Sequence, residues 1–378
     1  MDRLIDLCNI QYGYAFDSSN FTVDESYLPL VRIRDVKRGF SETFYSGEYP
    51  EEYVIHAGAL LIGMDGEFNI ARWKSRSALL NQRVCRIIAK ENTDEEYLRF
   101  ALVKALKEVE QKTAFVTVKH LSAKELNKMT LNVAPYEEQK RISEILVRIE
   151  NLITIYKEEL NQFDILIKSR FVEMFGDPVS NSHEWETISC KTAASKIGSG
   201  ATPKGGKENY GEEGISLIRS MNVYNNRFEY KDLAHITDEQ AEKLVNVTIK
   251  KNDVLLNITG ASVARCCVVP EDVLPARVNQ HVSIIRCKNM LLPEFVSYML
   301  TENNYQKILW NIATSNGATR EAITKQQIED LVFILPPLEL QNQFATFVHQ
   351  VDKLKVAVQK SLDETQMLFD SLMQQYFG

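Results

Sequence analysis

Two sets of polar and cationic side chains in this sequence have the chemistry needed to contact nucleic acid. Arginine, asparagine and glutamine can form paired hydrogen bonds to the edges of guanine and adenine. Lysine and the backbone amides of glycine-rich loops commonly bind phosphate. The candidates are Tyr12, Tyr14, Arg32, Arg34, Arg72, Lys74, Asn81 and Lys119 in the first half of the chain, and Thr202, Lys204, Arg219, Asn279 and Arg320 in the second. For each of them the alternative is an ordinary solvated surface role.

The arginine and lysine candidates are assigned different roles. Arg72 and Arg320 lie in polar loops beside strand-like segments, from which a side chain could reach the major groove of DNA. Lys204 lies in a glycine-rich loop, and we expect it to contact phosphate. The chain has 44 Lys and Arg residues against 51 Asp and Glu residues, a net charge of −7. Any DNA-binding face must therefore be a local feature.

We find no catalytic motif with the required spacing. The segment from Gly200 to Lys207 resembles a phosphate-binding loop, but its glycine spacing fails and Glu208 stands where Ser or Thr is required. The six histidines are scattered without the spacing of a zinc site. Pro336-Pro337 lies outside the motif of amino-methyltransferases. We therefore predict no catalytic residue, no metal and no cofactor in this chain.

The candidate residues belong to a sequence that is built twice. A repeat over nearly the whole chain predicts two copies of one globular segment, each followed by a helical tail. The matching pairs are Pro135-Tyr-Glu-Glu-Gln139 with Pro337-Leu-Glu-Leu-Gln341, Phe175-Gly176 with Phe377-Gly378, Leu30–Val36 with Leu217–Val223, and Asn81–Arg86 with Asn279–Ile284. The repeat implies that the two halves share one fold.

The globular segments have the pattern of a mixed α/β fold. Short runs rich in Val, Ile and Leu between turn residues predict strands, and longer stretches after the third strand predict helices. The predicted strands are Leu28–Val36, Val54–Gly63 and Arg83–Ala89, matched by Ile215–Val223, Val254–Ile258 and Val282–Cys287; the predicted helices are about Glu95–Glu110 and Pro293–Trp310.

The tails have the pattern of long helices. In the first tail apolar residues recur at alternating steps of four and three, which is typical of a coiled-coil seam. The seam residues are Ile142, Leu146, Ile149, Ile153 and Leu160 in the first tail, and Val348, Val351, Leu354, Val358 and Leu362 in the second. Each helix would be about 60 Å long at 1.5 Å per residue. Its apolar stripe needs a partner, and we expect the two helices of one chain to pair antiparallel; a coil between two chains is the alternative.

Together these patterns predict a multi-domain α/β protein of mixed α+β character with a pseudo-twofold internal repeat. The predicted segments are a globular domain at 1–134, a helix at 135–176, a second globular domain at 177–336 and a second helix at 337–378. Charges near the N-terminus oppose a signal peptide, and no apolar run reaches the 18 residues of a membrane span. We therefore expect a cytoplasmic protein, with no membrane partner and with reduced cysteines.

The succession of globular segment, Pro-x-x-x-Gln, long helix and Phe-Gly, found twice, resembles the specificity (S) subunit of Type I restriction-modification systems. Further similarity lies in loops that resemble the target recognition domains of that family. These are Arg72-Trp-Lys74, Asn81-Gln-Arg-Val84, the Gly-Ala-Thr-Pro segment from Gly200, and Gly317-Ala-Thr-Arg320. The resemblance covers essentially all 378 residues.

The resemblance implies a non-catalytic subunit that directs DNA methylation and restriction. The domains at 1–134 and 177–336 would each read one half of a split target in double-stranded DNA. The helices would space the domains and dock two modification (M) subunits, which use S-adenosylmethionine to methylate adenine. Restriction (R) subunits would add cleavage driven by ATP and Mg.

Two other classes of function remain alternatives. The chain could be a coiled-coil scaffold whose globular domains do not bind DNA, and strong salt-dependent retention on duplex DNA would argue against this. It could also carry its own methyltransferase activity, which binding of S-adenosylmethionine by the isolated chain would support. The absence of a recognisable methyltransferase motif argues against the second alternative.

Overall fold

The computed structural model describes residues 1–112, 120–202, 210–211, 213–315 and 321–378. Within them the chain forms two compact units. Unit 1 comprises residues 1–157 and 360–378, and unit 2 comprises residues 158–359. Each unit therefore combines one globular segment with parts of both long helices. No helix in the described ranges has the length and apolar character needed to cross a membrane.

The short strands of unit 1 form two sheets and one separate strand pair, and helices lie beside them. Its strands are β1 (Asp2–Arg3), β2 (Cys8–Tyr12), β3 (Phe21–Thr22), β4 (Leu28–Val31), β5 (Phe44–Tyr45), β6 (Val54–Ile55), β7 (Leu60–Gly63), β8 (Ile70–Arg72), β9 (Ala78–Leu80), β10 (Val84–Ala89) and β11 (Thr130–Leu131). Its helices are α1 (Leu4–Leu7), α2 (Ile33–Arg38), α3 (Glu95–Lys112), α4 (Ala123–Lys128) and the first part of α5 (Tyr136–Phe175). The sheets have the orders β2-β10-β7-β8 and β3-β5-β4-β9-β6, and β1 pairs with β11.

Unit 2 repeats this arrangement. Its strands are β12 (Thr187–Ser189), β13 (Ala194–Ser199), β14 (Ile215–Ile218), β15 (Val223–Tyr224), β16 (Arg227–Phe228), β17 (Ala234–Ile236), β18 (Val254–Asn257), β19 (Cys266–Val268), β20 (Ala276–Val278), β21 (Val282–Cys287) and β22 (Val332–Ile334). Its helices are α6 (Cys190–Ala193), α7 (Asp238–Glu242), α8 (Pro293–Thr301), α9 (Asn303–Thr314), α10 (Lys325–Glu329) and the first part of α11 (Leu338–Phe377). The sheets have the orders β13-β21-β18-β19 and β17-β14-β20, with the pairs β12-β22 and β15-β16.

The pairing register relates the four-stranded sheets and the parallel strand pairs of the two units, although the second sheet has five strands in unit 1 and three in unit 2. In unit 1 Ile87 of β10 lies opposite Ile10 of β2, and in unit 2 Ile285 of β21 lies opposite Ile197 of β13. Each unit also contains one parallel pair, β4 with β9 and β14 with β20. The repeat in the sequence is therefore a repeat of topology.

Two predicted strands are too long, for the same reason in each unit. The strand predicted at Leu28–Val36 ends at Val31, and that predicted at Ile215–Val223 first ends at Ile218. The backbone N–H of Arg32 donates to the carboxylate of Asp35 at 3.0 Å. The backbone N–H of Arg219 donates to the amide oxygen of Asn222 at 3.1 Å. These side chains cap a helical turn, because an acceptor three residues into a turn satisfies a free N–H group.

One predicted helix and one predicted strand are interrupted. The carboxylate of Glu302 accepts hydrogen bonds from the backbone N–H groups of Asn304 and Tyr305, at 2.7 and 3.2 Å. It thereby ends α8 and caps the start of α9, so the helix predicted at Pro293–Trp310 is two helices. The strand predicted at Val54–Gly63 is divided into β6 and β7 by a turn that includes Gly58, whose φ of 90° favours glycine.

The glutamine of the repeated Pro-x-x-x-Gln motif holds each long helix to its globular segment. The Gln139 side chain accepts from the backbone N–H of Asp94 at 2.9 Å and donates to the carbonyl of Ala134 at 2.8 Å. The Gln341 side chain accepts from the backbone N–H of Leu292 at 2.8 Å. It donates to the carbonyls of Met290 at 3.1 Å and Pro336 at 2.8 Å. Both side chains are buried. The motif therefore attaches each long helix to its globular segment, and we call Gln139 and Gln341 the latch glutamines.

The long helices pack antiparallel within each unit. In unit 1 the end of α11 meets the start of α5, where Phe369 and Leu372 pack on the cluster that contains Leu146. In unit 2 the start of α11 meets the end of α5, where the rings of Phe171 and Phe344 lie 5.4 Å apart. The predicted mixed α/β fold, with two similar globular segments and two long antiparallel helices, is confirmed.

The predicted seam is largely buried and is wrong at one position. Buried members are Ile142, Leu146, Ile149, Ile153, Val348, Val351 and Leu362, and Leu160 and Val358 are half-buried. Leu354 is 54% exposed. A step of four from Val351 leads instead to Lys355, whose ammonium lies 2.6 Å from the carboxylate of Asp164. The alternating steps of three and four residues along α11 therefore place Lys355, rather than Leu354, on the seam.

The latch gives a first testable prediction. Gln341→Leu would leave the N–H of Leu292 and two backbone carbonyls buried without partners, and we expect it to lower the free energy of unfolding by about 2–4 kcal/mol. Gln343→Leu is the matched control, because Gln343 is exposed on the same helix. Chemical denaturation of both variants measures the difference. Equal stabilities would show that Gln341 is no latch.

The seam gives a second prediction. Ile149→Asp would place a carboxylate at a buried position and should lower the free energy of unfolding by about 3 kcal/mol or more. Leu152→Asp, at an exposed position of the same helix, should change stability by about 0.5 kcal/mol or less. Thermal unfolding followed by circular dichroism compares the two. A seam running through Leu152 instead would reverse their order.

Candidate nucleic-acid interface

The parallel strand pair of unit 1 brings two of the predicted residues together. Leu30 and Val31 of β4 lie opposite Leu79 and Leu80 of β9. Because neighbouring parallel strands end at the same edge of a sheet, the residues that follow them are adjacent. The residue after β4 is Arg32 and the residue after β9 is Asn81. The sequence separates them by 49 positions, and the parallel register joins them.

A cavity of about 460 Å³ opens at this edge, and we call it cleft 1. Its lining residues are Phe16, Ser18, Phe21, Arg32, Ile33, Arg34, Asn81, Gln82 and Arg83. Three of them are arginines and none is acidic, so the lining is cationic in a protein of net negative charge. Arginine, glutamine and aromatic side chains together can contact phosphate and base edges. Cleft 1 therefore has the composition of a nucleic-acid contact surface.

The arginines of cleft 1 differ in how far they are engaged by the protein. Within the part of the chain that the structure describes, no side chain pairs with the guanidinium of Arg32. The carboxylate of Asp35 is buried and lies 3.9 Å from the guanidinium of Arg34 and 3.7 Å from that of Arg38. The carboxylate of Asp35 thus interacts with the arginines of its own helix. The guanidinium of Arg32 is available to an outside ligand.

Tyr14 lies beside cleft 1, and Tyr12 does not. The backbone of Tyr14 bonds to that of Leu80 at 2.9 Å and of Gln82 at 2.7 Å. Its ring is 42% exposed and lies 5.1 Å from the ring of Tyr53. Tyr12 instead packs against the core and donates a 3.4 Å hydrogen bond to Asn127, and burial raises the pKa of its phenol. Of these two predicted residues, Tyr14 has its ring beside cleft 1, and a DNA contact of Tyr12 stays a prediction.

The same edge of unit 2 holds the equivalent residues. Ile218 of β14 lies opposite Val278 of β20 in the parallel register, and Arg219 and Asn279 follow these strands. The guanidinium of Arg219 donates to the carbonyl of Asp232 and lies 5.3 Å from the ring centre of Tyr210. Because its position is equivalent to that of cleft 1, we call this edge cleft 2. The two clefts share an arginine after the first parallel strand and an Asn-Gln pair after the second.

The asparagines hold the loops of both clefts. The amide oxygen of Asn81 accepts from the backbone N–H of Gln82 at 2.9 Å, and that of Asn279 accepts from the N–H of His281 at 3.0 Å. Both asparagines are largely buried. Thr202 donates its hydroxyl to the side chain of Gln280. The asparagines thus shape the loops, and the glutamines next to them, Gln82 and Gln280, are exposed.

A glycine passes over the end of the second parallel strand in each unit. A Cβ atom on Gly13 would lie 2.1 Å from the carbonyl oxygen of Asn81, and one on Gly200 would lie 1.7 Å from that of Val278. No side chain fits at such distances from backbone, so only glycine allows this crossing. The glycine at the start of the Gly-Ala-Thr-Pro segment is thereby explained as a close backbone approach.

Arg72 lies away from cleft 1 and is held by acidic residues. Its guanidinium pairs with Glu95 at 2.9 Å and with Glu96, and it donates to the carbonyl of Gly58 at 2.6 Å. Glu96 also pairs with Arg99 at 2.6 Å. Burial alone would raise the pKa of Glu96, but the two arginines outweigh it and the pKa is lowered. Contact of Arg72 with a base stays a prediction, and it requires these ion pairs to open.

The remaining predicted residues are placed as follows. Lys74 is exposed, with its aliphatic chain against Gly39. Lys119, Lys204 and Arg320 lie outside the described residues. Among the residues that are described, no group of three or more His, Cys, Asp or Glu side chains is arranged to hold a metal ion.

The sequence reasoning missed residues that the structure places at the clefts. They are Gln82 and Arg83 in cleft 1 and Gln280 and His281 at the matching positions of unit 2. The signal was present, because Asn81-Gln82 and Asn279-Gln280 are the same dipeptide at equivalent places in the repeat. Weighing each repeated polar pair as a candidate would have identified the two glutamines.

The glycine crossing gives a third prediction. Gly200→Ala forces the backbone near Val278 to move and should lower the free energy of unfolding by about 1–3 kcal/mol. Gly198→Ala is the control, because a Cβ atom there meets nothing within 4 Å, and it should cause no loss. Urea denaturation compares them. If the alanine at position 200 were tolerated as well as that at 198, the close approach would not constrain the loop.

Comparison with known proteins places the chain in a family. The family model for the Type I restriction modification DNA specificity domain matches residues 1–163 and 183–365. The Type I restriction enzyme EcoBI specificity subunit of Escherichia coli is 28% identical, over 98% of this chain and 84% of that protein. The S subunit of the Type-I restriction-modification system from M. genitalium has a TM-score of 0.63 at 14% identity, covering 100% of this chain and 95% of that chain.

A second solved chain shows the same fold. It comes from a structure of complex assembly and conformational transition of the type I R-M system, and it has a TM-score of 0.52 at 19% identity over 99% of this chain and 96% of that chain. The resemblance drawn from the repeated motifs is thus confirmed. With the family model matching both halves, the chain belongs to the Type I restriction modification DNA specificity domain family.

Proposed function

We propose that this chain is the subunit that selects the DNA target of a Type I restriction-modification complex, and that its two clefts each read one half of a split target. The observation that carries the proposal is the duplication of one polar edge. In both units an arginine and an Asn-Gln pair follow two neighbouring parallel strands. The predicted recognition domains at 1–134 and 177–336 each contain one such edge. Membership of a DNA specificity family supports this assignment.

The shared residues have a division of labour. Asn81 and Asn279 fix the loops through their amide oxygens. Arg32 and Arg219 occupy the equivalent place after the first parallel strand, where a guanidinium can contact phosphate or guanine. Because the asparagine amide oxygens hold the loops, we assign the base contacts first expected of the asparagines to their neighbours, Gln82 and Gln280. Lys119, Lys204 and Arg320 remain proposed DNA contacts on their residue types alone.

We assign catalysis to partner subunits. The resemblance implies two modification subunits that use S-adenosylmethionine, and restriction subunits that use ATP and Mg, so this chain needs none of these cofactors. One of the structural neighbours was solved in work on complex assembly of the type I R-M system, which supports a chain that acts together with partner subunits. An assembly that acts on chromosomal DNA belongs in the cytoplasm.

The long helices offer a surface for the modification subunits. In unit 1 Leu152, Ile155 and Met367 are exposed on α5 and α11, and apolar side chains exposed together can mark a protein–protein contact. In unit 2 a cavity of about 710 Å³ lies along α5, with Ile165 and Val172 among its lining residues. Both features fit partner proteins that cover the helices.

Paired arginine variants test the assignment of one half-site to each unit. In a host that carries the complete system, Arg32→Ala should relax or weaken selection in one half-site, and Arg219→Ala should do so in the other. The loss at a base-reading position would be about 1–3 kcal/mol of discrimination. Methylome sequencing of the wild type and both variants reads both half-sites directly.

The control for this experiment is Arg3→Ala, which removes an exposed ion pair with Asp6 and should leave the methylated sequence unchanged. An effect of both arginine variants on the same half-site would contradict the proposal. A wild-type methylome without any bipartite motif would contradict it more broadly.

A further inference from the structure

One position at the two clefts accepts the same backbone hydrogen bond in both units and differs in side-chain chemistry. In unit 1 the carbonyl of Arg83 accepts from the backbone N–H of Met64 at 2.8 Å. In unit 2 the carbonyl of His281 accepts from the N–H of Ile258 at 2.9 Å. Each of these residues follows the Asn-Gln pair directly. Arg83 and His281 therefore occupy the same place in the two copies of the fold.

The neighbours of this position have changed together with it. Asp65 follows Met64 and forms an isolated β-bridge with His120, and Thr259 follows Ile258 and forms the same bridge with Ala322. In unit 1 a carboxylate thus stands beside an arginine, and in unit 2 a hydroxyl stands beside a histidine. Paired substitution at equivalent places indicates that each side chain is held by the partner that suits it.

Arg83 is held from one side and is open on the other. The Nε of Arg83 lies 3.5 Å from a carboxylate oxygen of Asp65, and its Nη1 lies 3.2 Å from Nδ1 of His120. The same ring nitrogen of His120 also contacts Asp65. The Arg83 side chain is nevertheless 52% exposed and lines cleft 1. Nδ1 of His120 must donate to the carboxylate of Asp65, so it cannot also accept from Arg83. Asp65 is therefore the partner that holds Nε of Arg83, and the Nη atoms are left for an outside ligand.

The backbone of Arg83 supports a fixed role. Its φ is 72°, in the left-handed region that non-glycine residues rarely adopt. Such residues persist where the surrounding structure holds them, and they are concentrated at binding sites. In Arg83 the neighbouring contacts are the 2.8 Å hydrogen bond to Met64 and the ion pair with Asp65.

His281 is held by different groups. Its Nδ1 lies 2.5 Å from the hydroxyl of Thr259, and its Nε2 lies 3.1 Å from the side-chain nitrogen of Gln280. A neutral imidazole offers one donor and one acceptor, whereas a guanidinium offers a fork of donors only. Both ring nitrogens of His281 are thus engaged within the protein, whereas the guanidinium of Arg83 keeps donors for an outside ligand.

We propose that the position of Arg83 and His281 determines sequence specificity: Arg83 reads a guanine in the half-site of unit 1, and Asp65 is its positioning residue. The inference rests on the proposed function and names the base that this site takes. Guanine presents two acceptors, O6 and N7, in the major groove, and arginine is the side chain that most often bonds to both. The planar guanidinium is itself preorganised for these two bonds, and the ion pair with Asp65 restricts the side chain further.

The test uses the assembled complex of the full chain with its modification subunits. Binding is measured to the methylome-derived target and to duplexes in which each G·C pair of one half-site is replaced by A·T. Arg83→Ala should reduce discrimination about 10- to 100-fold at one G·C pair, with the other half-site unchanged. Arg83→Lys should keep most of the affinity and lose discrimination, because an ammonium lacks the planar fork.

Asp65→Asn separates positioning from folding. It removes the charge that fixes Arg83 and should reduce discrimination at the same base pair by less than Arg83→Ala does. Arg3→Ala is the control with full discrimination. A protein merely destabilised by Asp65→Asn would show a lower melting temperature and equal losses at all base pairs, and that result would overturn the positioning role.

Three further results would overturn the proposal. The first is an equal loss on all sequences with a salt slope reduced by about one unit, which identifies Arg83 as a phosphate contact. The second is unchanged discrimination in Arg83→Ala. The third is a half-site of unit 1 that contains no G·C pair. A wild-type complex that selects no sequence would instead overturn the proposed function itself.

Discussion

The parallel pairing of two short strands is the constraint on which the rest of each unit depends. β4 with β9, and β14 with β20, are the parallel pairs of the sheets described. Because both strands of a pair end at one edge, residues far apart in sequence are placed side by side there. The glycines that cross this edge, Gly13 and Gly200, leave no room for a side chain. In unit 1 the cavity of cleft 1 opens at this edge.

Because the globular segment is duplicated, the same parallel strand pair occurs in both units. The residues at its edge can differ between the two copies. The elements that build the edge are alike in both units, including the latch glutamines Gln139 and Gln341. Side chains at this edge differ, as Arg83 and His281 do. Two rigid copies of one frame with different contact residues suit an asymmetric DNA target, since sequence is read by side chains and the frame only has to present them.

Much of the fold could be predicted from the sequence because the repeat and the seam are periodic. Such patterns predict the long helices and the equivalence of the two halves. They also predict the strands β10 and β21. The predictions were wrong where a single side chain acts on the backbone. Asp35 turns the end of a strand into a helix, and Glu302 divides one helix into two. Capping of this kind is decided by local hydrogen bonds that apolar periodicity does not record.

The candidate site could be predicted only in part, for a physical reason. Arg32, Asn81 and their counterparts were identified by residue type, and their proximity depends on the parallel register. Arg72 looked equally suitable, but the ion pairs that hold it come from Glu95 and Glu96, more than 20 residues away. Charge pairing over such separations is a property of the folded chain. Arg83 required the comparison of equivalent positions.

The central claim is that each cleft touches one half-site, and photo-crosslinking tests it most directly. A photoreactive phenylalanine analogue is placed at Gln82 or at Gln280 in the chain assembled with its modification subunits on target DNA. We predict crosslinks from position 82 to nucleotides of one half-site and from position 280 to nucleotides of the other. Crosslinks from both positions to the same half-site, or to the spacer alone, would contradict the claim.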